Sequence, residues 1–150
     1  MTRYIYGKNP EWNKRWDSCT SLYIPCNVKI KHWIALKVDF AERTIYVYDS
    51  MKSLTRFGKL QKIMRPIVKV IPRMMKKSLL FGENYPHKQF PWRQHTDIPQ
   101  YNNARDCGIY AIKFIELLSA GLDVKLMSDA MIESWRKKLA AEVFAMHFDS

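Results

Sequence analysis

Cysteine is scarce in this chain: three in 150 residues, at positions 19, 26 and 107. An odd number at such wide spacing builds no disulfide framework, and no Cys-x-x-Cys pair is present to hold a metal. The three are expected to be reduced thiols. Long apolar runs are lacking too, so no segment reads as a membrane span, and the opening MTRYIYGKNPEW has no apolar core of the secretory kind. The expected setting is intracellular, without a membrane partner. Internal repeats, low-complexity linkers and an obvious cofactor-binding motif are also missing. The most local absence is of acid. Between Asp49 and Glu83 there is no Asp or Glu, against Lys52, Arg56, Lys59, Lys62, Arg65, Lys69, Arg73, Lys76 and Lys77.

What is there suits one domain with one core, because a hydrophobic content of 47% and 13% aromatics exclude a disordered chain. The net charge of +11 gathers in the acid-free stretch and implies an anionic partner: nucleic acid, an anionic membrane or an acidic protein surface. The plainer alternative is a solvated helix face that keeps the protein soluble.

Along the chain, residues 1–21 read as an irregular lead-in. SLYIPCNV (21–28) is a short strand that Pro25 confines to an edge or a bulge. HWIALKVDF (32–40) and TIYVYDS (44–50) are strands rich in β-branched and aromatic residues, joined across AER (41–43) as a hairpin. Leu54, Phe57, Leu60, Met64, Ile67 and Ile71 recur at helical steps with the basic residues outside, and Pro66 is expected to kink this helix or start a second one. A short strand is expected near residues 89–95. Cys107 to Ala120 is apolar nearly all round apart from Lys113 and Glu116, which predicts a buried central helix stopped by Gly121. Ser128 should cap a last amphipathic helix carrying Met131, Ile132, Trp135, Leu139 and Val143. The fold class is α+β: a small, mainly antiparallel sheet packed against helices.

Asp106-Cys107-Gly108 stands at the head of the buried helix. Helix N-terminal amides and the macrodipole favour a thiolate there, and Gly108 removes bulk where a substrate carbonyl must approach the backbone. A lone cysteine in an apolar helix is ordinarily a small hydrophobe. The hairpin alters the odds. His32 continues the parity of Ile34, Leu36, Val38 and Phe40, while Asp49 continues that of Ile45 and Val47. Both therefore fall on the core-facing stripe at the open end of the hairpin, within about two residues of being opposite. That pairs a candidate base with a candidate orienting carboxylate; the plainer reading of Asp49 is an N-cap for the following MKSL. Gln100 is a candidate oxyanion donor beside the Cys107 backbone N–H, and Asp106 a residue that holds the Cys turn. Trp33 could wall a narrow channel.

The order His, Asp, Gln, Cys differs from papain-like enzymes, in which cysteine comes first. KHWIALKVDF, the seventeen-residue step from His32 to the Asp of VYDS, and IPQ…DCGIYAIKFIE together resemble the cysteine proteases specific for SUMO and related ubiquitin-like proteins. That family is adenain-like in fold, and the likeness is strongest to its plant, transposon-associated branch. The resemblance implies a thiol isopeptidase or C-terminal hydrolase acting after a Gly-Gly tail, without metal or cofactor. His32, Asp49 and Cys107 would be its triad, Gln100 its oxyanion-hole residue and Trp33 a clamp on the glycine tail. Family members often place the glutamine six residues before the cysteine, where this chain has Tyr101. It implies a ubiquitin-like protein or its conjugates as partner, a monomer, and a nuclear location. Family catalytic domains carry more sequence ahead of the His-bearing strand, so residues 1–150 are expected to be a single catalytic domain shortened on its N-terminal side. Two further readings remain open: a weak or inactive relic that binds a ubiquitin-like protein or nucleic acid, and a thiol acyltransferase.

Overall fold

The computed structural model describes residue 6 and residues 15–28, 32–78, 81–82, 84–85, 88–101, 103 and 105–148. Most of the irregular lead-in expected over residues 1–21 lies outside the described residues; Trp16–Ser18 form one 3-10 turn. A single sheet runs in the order β1 (Ser21–Val28), β2 (His32–Asp39), β3 (Thr44–Tyr48), β4 (Trp92–Gln94). The first three strands are antiparallel neighbours, and β4 lies parallel to β3. β1 is an edge strand, the place where Pro25 is tolerated because a ladder donor is missing on it.

Strand parity sorts the core onto two faces. Ile34, Leu36, Val38, Ile45 and Val47 meet Leu60, Met64, Val68, Ile71 and Met75 of α1 (Phe57–Ser78). On the other face Ala35 and Tyr48 meet Tyr110, Ala111 and Phe114 of α2 (Cys107–Ser119). Ala35 is fully buried, and its small side chain lets α2 settle directly onto β2. The hairpin turn is tied locally, since the Asp39 carboxylate accepts the N–H groups of Ala41 (3.1 Å) and Glu42 (3.0 Å). Arg43 completes it in the left-handed region, at φ 51°.

Pro66 neither kinks α1 into two helices nor starts a new one: the helix runs unbroken through Pro66 and Pro72. Each proline removes one helix N–H and so releases the carbonyl four residues back. For Pro72 that carbonyl belongs to Val68, and it accepts the Phe90 N–H at 3.1 Å. The carbonyl opposite Pro66 belongs to Lys62, on the exposed side where water reaches it. α2 is buried on one side only, through Cys107, Tyr110, Ala111, Lys113 and Phe114, while Ile112 is 40% exposed. Gly121, at φ 71°, ends it, with the Leu122 N–H reaching back to the Leu117 carbonyl at 2.8 Å.

Ser128 caps a 3-10 turn, Asp129–Met131, instead of the last helix, and its side chain makes no capping bond. α3 (Ile132–Phe148) follows. Of its expected apolar stripe only Ile132 is buried; Trp135 and Leu139 are half-buried, and Val143 is 67% exposed. The second half of α3 is exposed, with Phe144 at 67% and Met146 at 75%. Among the described residues no helix is long and apolar enough to cross a membrane.

Candidate active site

Antiparallel pairing places the start of β2 and the end of β3 at the same end of the sheet. Ala35 pairs with Tyr48, so Asp49 comes level with Ile34, two residues from His32 along the strand. Both side chains are buried, and His32 Nε2 lies 2.7 Å from Asp49 Oδ1. A carboxylate only accepts, so the proton of this bond sits on Nε2 and leaves Nδ1 as the basic nitrogen. Nδ1 is buried and has no hydrogen-bond partner among the described residues. Asp49 Oδ1 also accepts the Met51 N–H at 2.9 Å. The N-cap reading of Asp49 is not met: the 3-10 turn Lys52–Leu54 has Met51 at its N-cap and no side-chain cap bond, and the Asp49 carboxylate instead accepts the N–H of that cap residue.

Cys107 comes to the same place from the other face of the sheet. It is the first residue of α2, 5% exposed, and its Sγ accepts the Trp33 backbone N–H at 3.4 Å. That N–H follows His32 directly in the chain, which puts the thiol beside the imidazole strand end. The Trp33 ring lies over Gly108: a Cβ built there would meet Trp33 Cδ1 at 3.6 Å, an ordinary contact. Trp33 itself is 40% exposed. The first turn of α2 has no side-chain cap, since the Asp106 carboxylate turns elsewhere. The leading amides of the helix have no intrahelical acceptors and gather positive potential around Cys107.

Asp106, directly before Cys107, is held by one partner close in the chain and one remote. Its buried carboxylate accepts the Asn103 amide at 3.0 Å and pairs with the guanidinium of Arg136, on α3. Tyr110, on the next turn, gives its hydroxyl to Asp129, and burial followed by that bond pushes its phenol well above the usual range. Partners such as Arg136 and Asp129 carry no sequence signal, because ion pairs across this separation follow no period.

Gln100 sits on the Asp49 side of the cluster. Its amide donates to the Asp49 carbonyl at 2.9 Å, with longer approaches to the Pro99 (3.4 Å) and Ile98 (3.5 Å) carbonyls. Its carbonyl accepts the Lys52 N–H at 3.2 Å, and the next N–H, of Tyr101, reaches the Ser50 carbonyl at 2.7 Å. The side chain thus staples the turn that follows Asp49, a role that the expectation of an oxyanion donor did not contain. Of the other histidines, His95 stacks on Tyr48 with ring centroids 4.8 Å apart. His87 lies outside the described residues. Among the described residues no group of His, Cys, Asp and Glu side chains could hold a metal ion.

The fold and the family of this chain are found among known proteins. A family model described as "Ulp1 protease family, C-terminal catalytic domain" matches residues 2–150. Ubiquitin-like-specific protease 1A of Arabidopsis thaliana is 24% identical over 153 residues, which take in 97% of this chain and 28% of that protein. Among solved structures, the SUMO protease Ulp1 with its catalytic cysteine oxidized to a sulfenic acid superposes with a TM-score of 0.67 at 19% identity, covering 93% of this chain and 57% of that one. The form oxidized to a sulfonic acid gives 0.65 at 20% identity, over 90% of this chain and 56% of that one. These structures share the α+β fold, and this chain spans little more than half of their length.

Proposed function

This chain belongs to the Ulp1 protease family, through the family's C-terminal catalytic domain, and we propose that it is a thiol-dependent isopeptidase and C-terminal hydrolase. Its substrate is a SUMO-like or other ubiquitin-like protein, cut after the Gly-Gly tail. The observation that carries the reading is the orientation of His32: Nε2 is bound to Asp49 at 2.7 Å while the buried Nδ1 remains available beside the helix end that bears Cys107.

In the proposed reaction Nδ1 takes the Cys107 proton and Sγ attacks the carbonyl carbon of the last glycine. The negative oxygen that forms faces the leading amides of α2, including that of Cys107. The second donor is the Gln100 amide, whose 3.4 and 3.5 Å approaches to Pro99 and Ile98 are long enough to be exchanged for a better acceptor. The imidazolium then gives its proton to the leaving amine as the C–N bond breaks, leaving a thioester. Water, deprotonated by His32, releases the carboxylate and returns the thiol. Trp33, 40% exposed and lying over Gly108, is the residue assigned to the clamp on the glycine tail.

SUMO and ubiquitin probes bearing a C-terminal electrophile test this reading. The wild-type protein should form a covalent adduct with one of them, and Cys107→Ala should form none. A folded protein that reacts with no probe would overturn it.

A further inference from the structure

The acid-free stretch is not used by the proposed chemistry. It folds into α1, on the sheet face opposite α2 and its Cys107. Lys62, Arg65, Lys69, Arg73 and Lys76 follow one another at steps of three, four, four and three, so they share one face of the helix. This stripe is about 21 Å long at the helical rise. At its N-terminal end a groove of about 620 Å³ opens between α1 and β4, lined by Gln61, Lys62, Arg65, Gln89 and Trp92. Phe57, 64% exposed, stacks on Trp92 with centroids 5.5 Å apart and planes 26° off parallel. Cations, side-chain amides and the Trp92 ring thus line one groove that runs into a basic stripe, with Phe57 stacked on Trp92.

We propose that this groove and stripe bind single-stranded nucleic acid, with the phosphates along Lys62, Arg65, Lys69 and Arg73 and a base against the Phe57–Trp92 pair. The stripe alone would suit any polyanion. The aromatic pair and the amides of Gln61 and Gln89 narrow the choice, because an unpaired base offers both a π-face to stack and edges to hydrogen-bond. A duplex keeps its base faces covered, and an acidic protein surface has no such flat partner.

Fluorescence anisotropy with a short labelled oligothymidine, its duplex and heparin is the test. Four phosphate contacts predict that log K falls with log salt at a slope of about −3, and Lys62→Gln with Arg65→Gln should reduce that slope by about 1.4. Phe57→Ala, at an exposed site, should weaken oligothymidine about tenfold and leave heparin unchanged. The adduct at Cys107 should form as before in both variants, which separates this site from the proposed hydrolase. No binding of oligothymidine at low salt would overturn the proposal. So would duplex or heparin binding as tight as oligothymidine with no effect of Phe57→Ala.

Discussion

Asp49 serves two partners through one oxygen. Asn in its place keeps the size and an oxygen that accepts both N–H groups, yet loses the negative charge that stabilises the His32 imidazolium. Asp49→Asn should therefore remain folded and lose about 10⁴ in turnover, as loss of an orienting carboxylate does in the serine triad. Single-turnover kinetics on the reactive ubiquitin-like substrate, beside a thermal melt, would check both halves. Gln100, which staples the turn after Asp49, is also the oxyanion donor of the proposed reaction. Gln100→Ala should lower kcat by about 10² to 10³, the effect of losing one oxyanion donor, and should also speed amide exchange at Lys52, whose acceptor it removes. A normal kcat with faster exchange would leave only the staple. The residues of the cluster are legible in the sequence in proportion to their regularity. His32 and Asp49 each continue a strand parity and Cys107 opens an apolar helix, so periodicity alone locates all three. Arg136 and Asp129 act through pairs that leave no pattern in the chain.

At the scale of elements, the hairpin brings the histidine and the aspartate to one end of the sheet, two residues apart in register, and Asp39 ties its turn. The two backbone bonds, that from Glu42 first, and the Lys37 ammonium hold the Asp39 carboxyl below its ordinary value of 3.8. Its folded value lies under its unfolded one, so its stabilisation is complete above the unfolded value and is lost as pH falls through the folded one. Asp39→Ala should cost about 1 kcal/mol at neutral pH, with the difference from wild type shrinking in denaturant melts run toward pH 3. Equal differences at both pH values would contradict this. The last helix reaches the site through Arg136. Arg136→Ala leaves the buried Asp106 carboxylate with Asn103 as its remaining side-chain partner of the two, and should cost about 2 kcal/mol while slowing the reaction of Cys107. Urea melts and probe kinetics measure the two effects. Strand positions and helix types follow from periodicity, including the edge strand that holds Pro25. The course of α1 through two prolines does not, because it depends on the Phe90 N–H taking over the Val68 carbonyl, a contact between segments far apart in sequence.

For the molecule as a whole, the sheet separates the Cys107 cluster from the basic stripe. One end carries the thiol, the imidazole and the carboxylate, brought together by β2, β3 and α2. The outer surface of α1 carries the basic charge. The chain spans 28% of the length of the Arabidopsis protease and 57% of the solved Ulp1 chain. The central claim is that Cys107 is activated by His32. Its three cysteines allow a direct comparison within one molecule, since burial pushes the Cys26 thiol up and Cys19 lies at the end of a 3-10 turn. Iodoacetamide alkylation at neutral pH, followed peptide by peptide by mass spectrometry, should label Cys107 about 10²-fold faster than Cys26, and His32→Ala should remove that advantage. Equal labelling of Cys107 and Cys26 in the wild-type protein, or a Cys107 rate indifferent to His32→Ala, would contradict the claim.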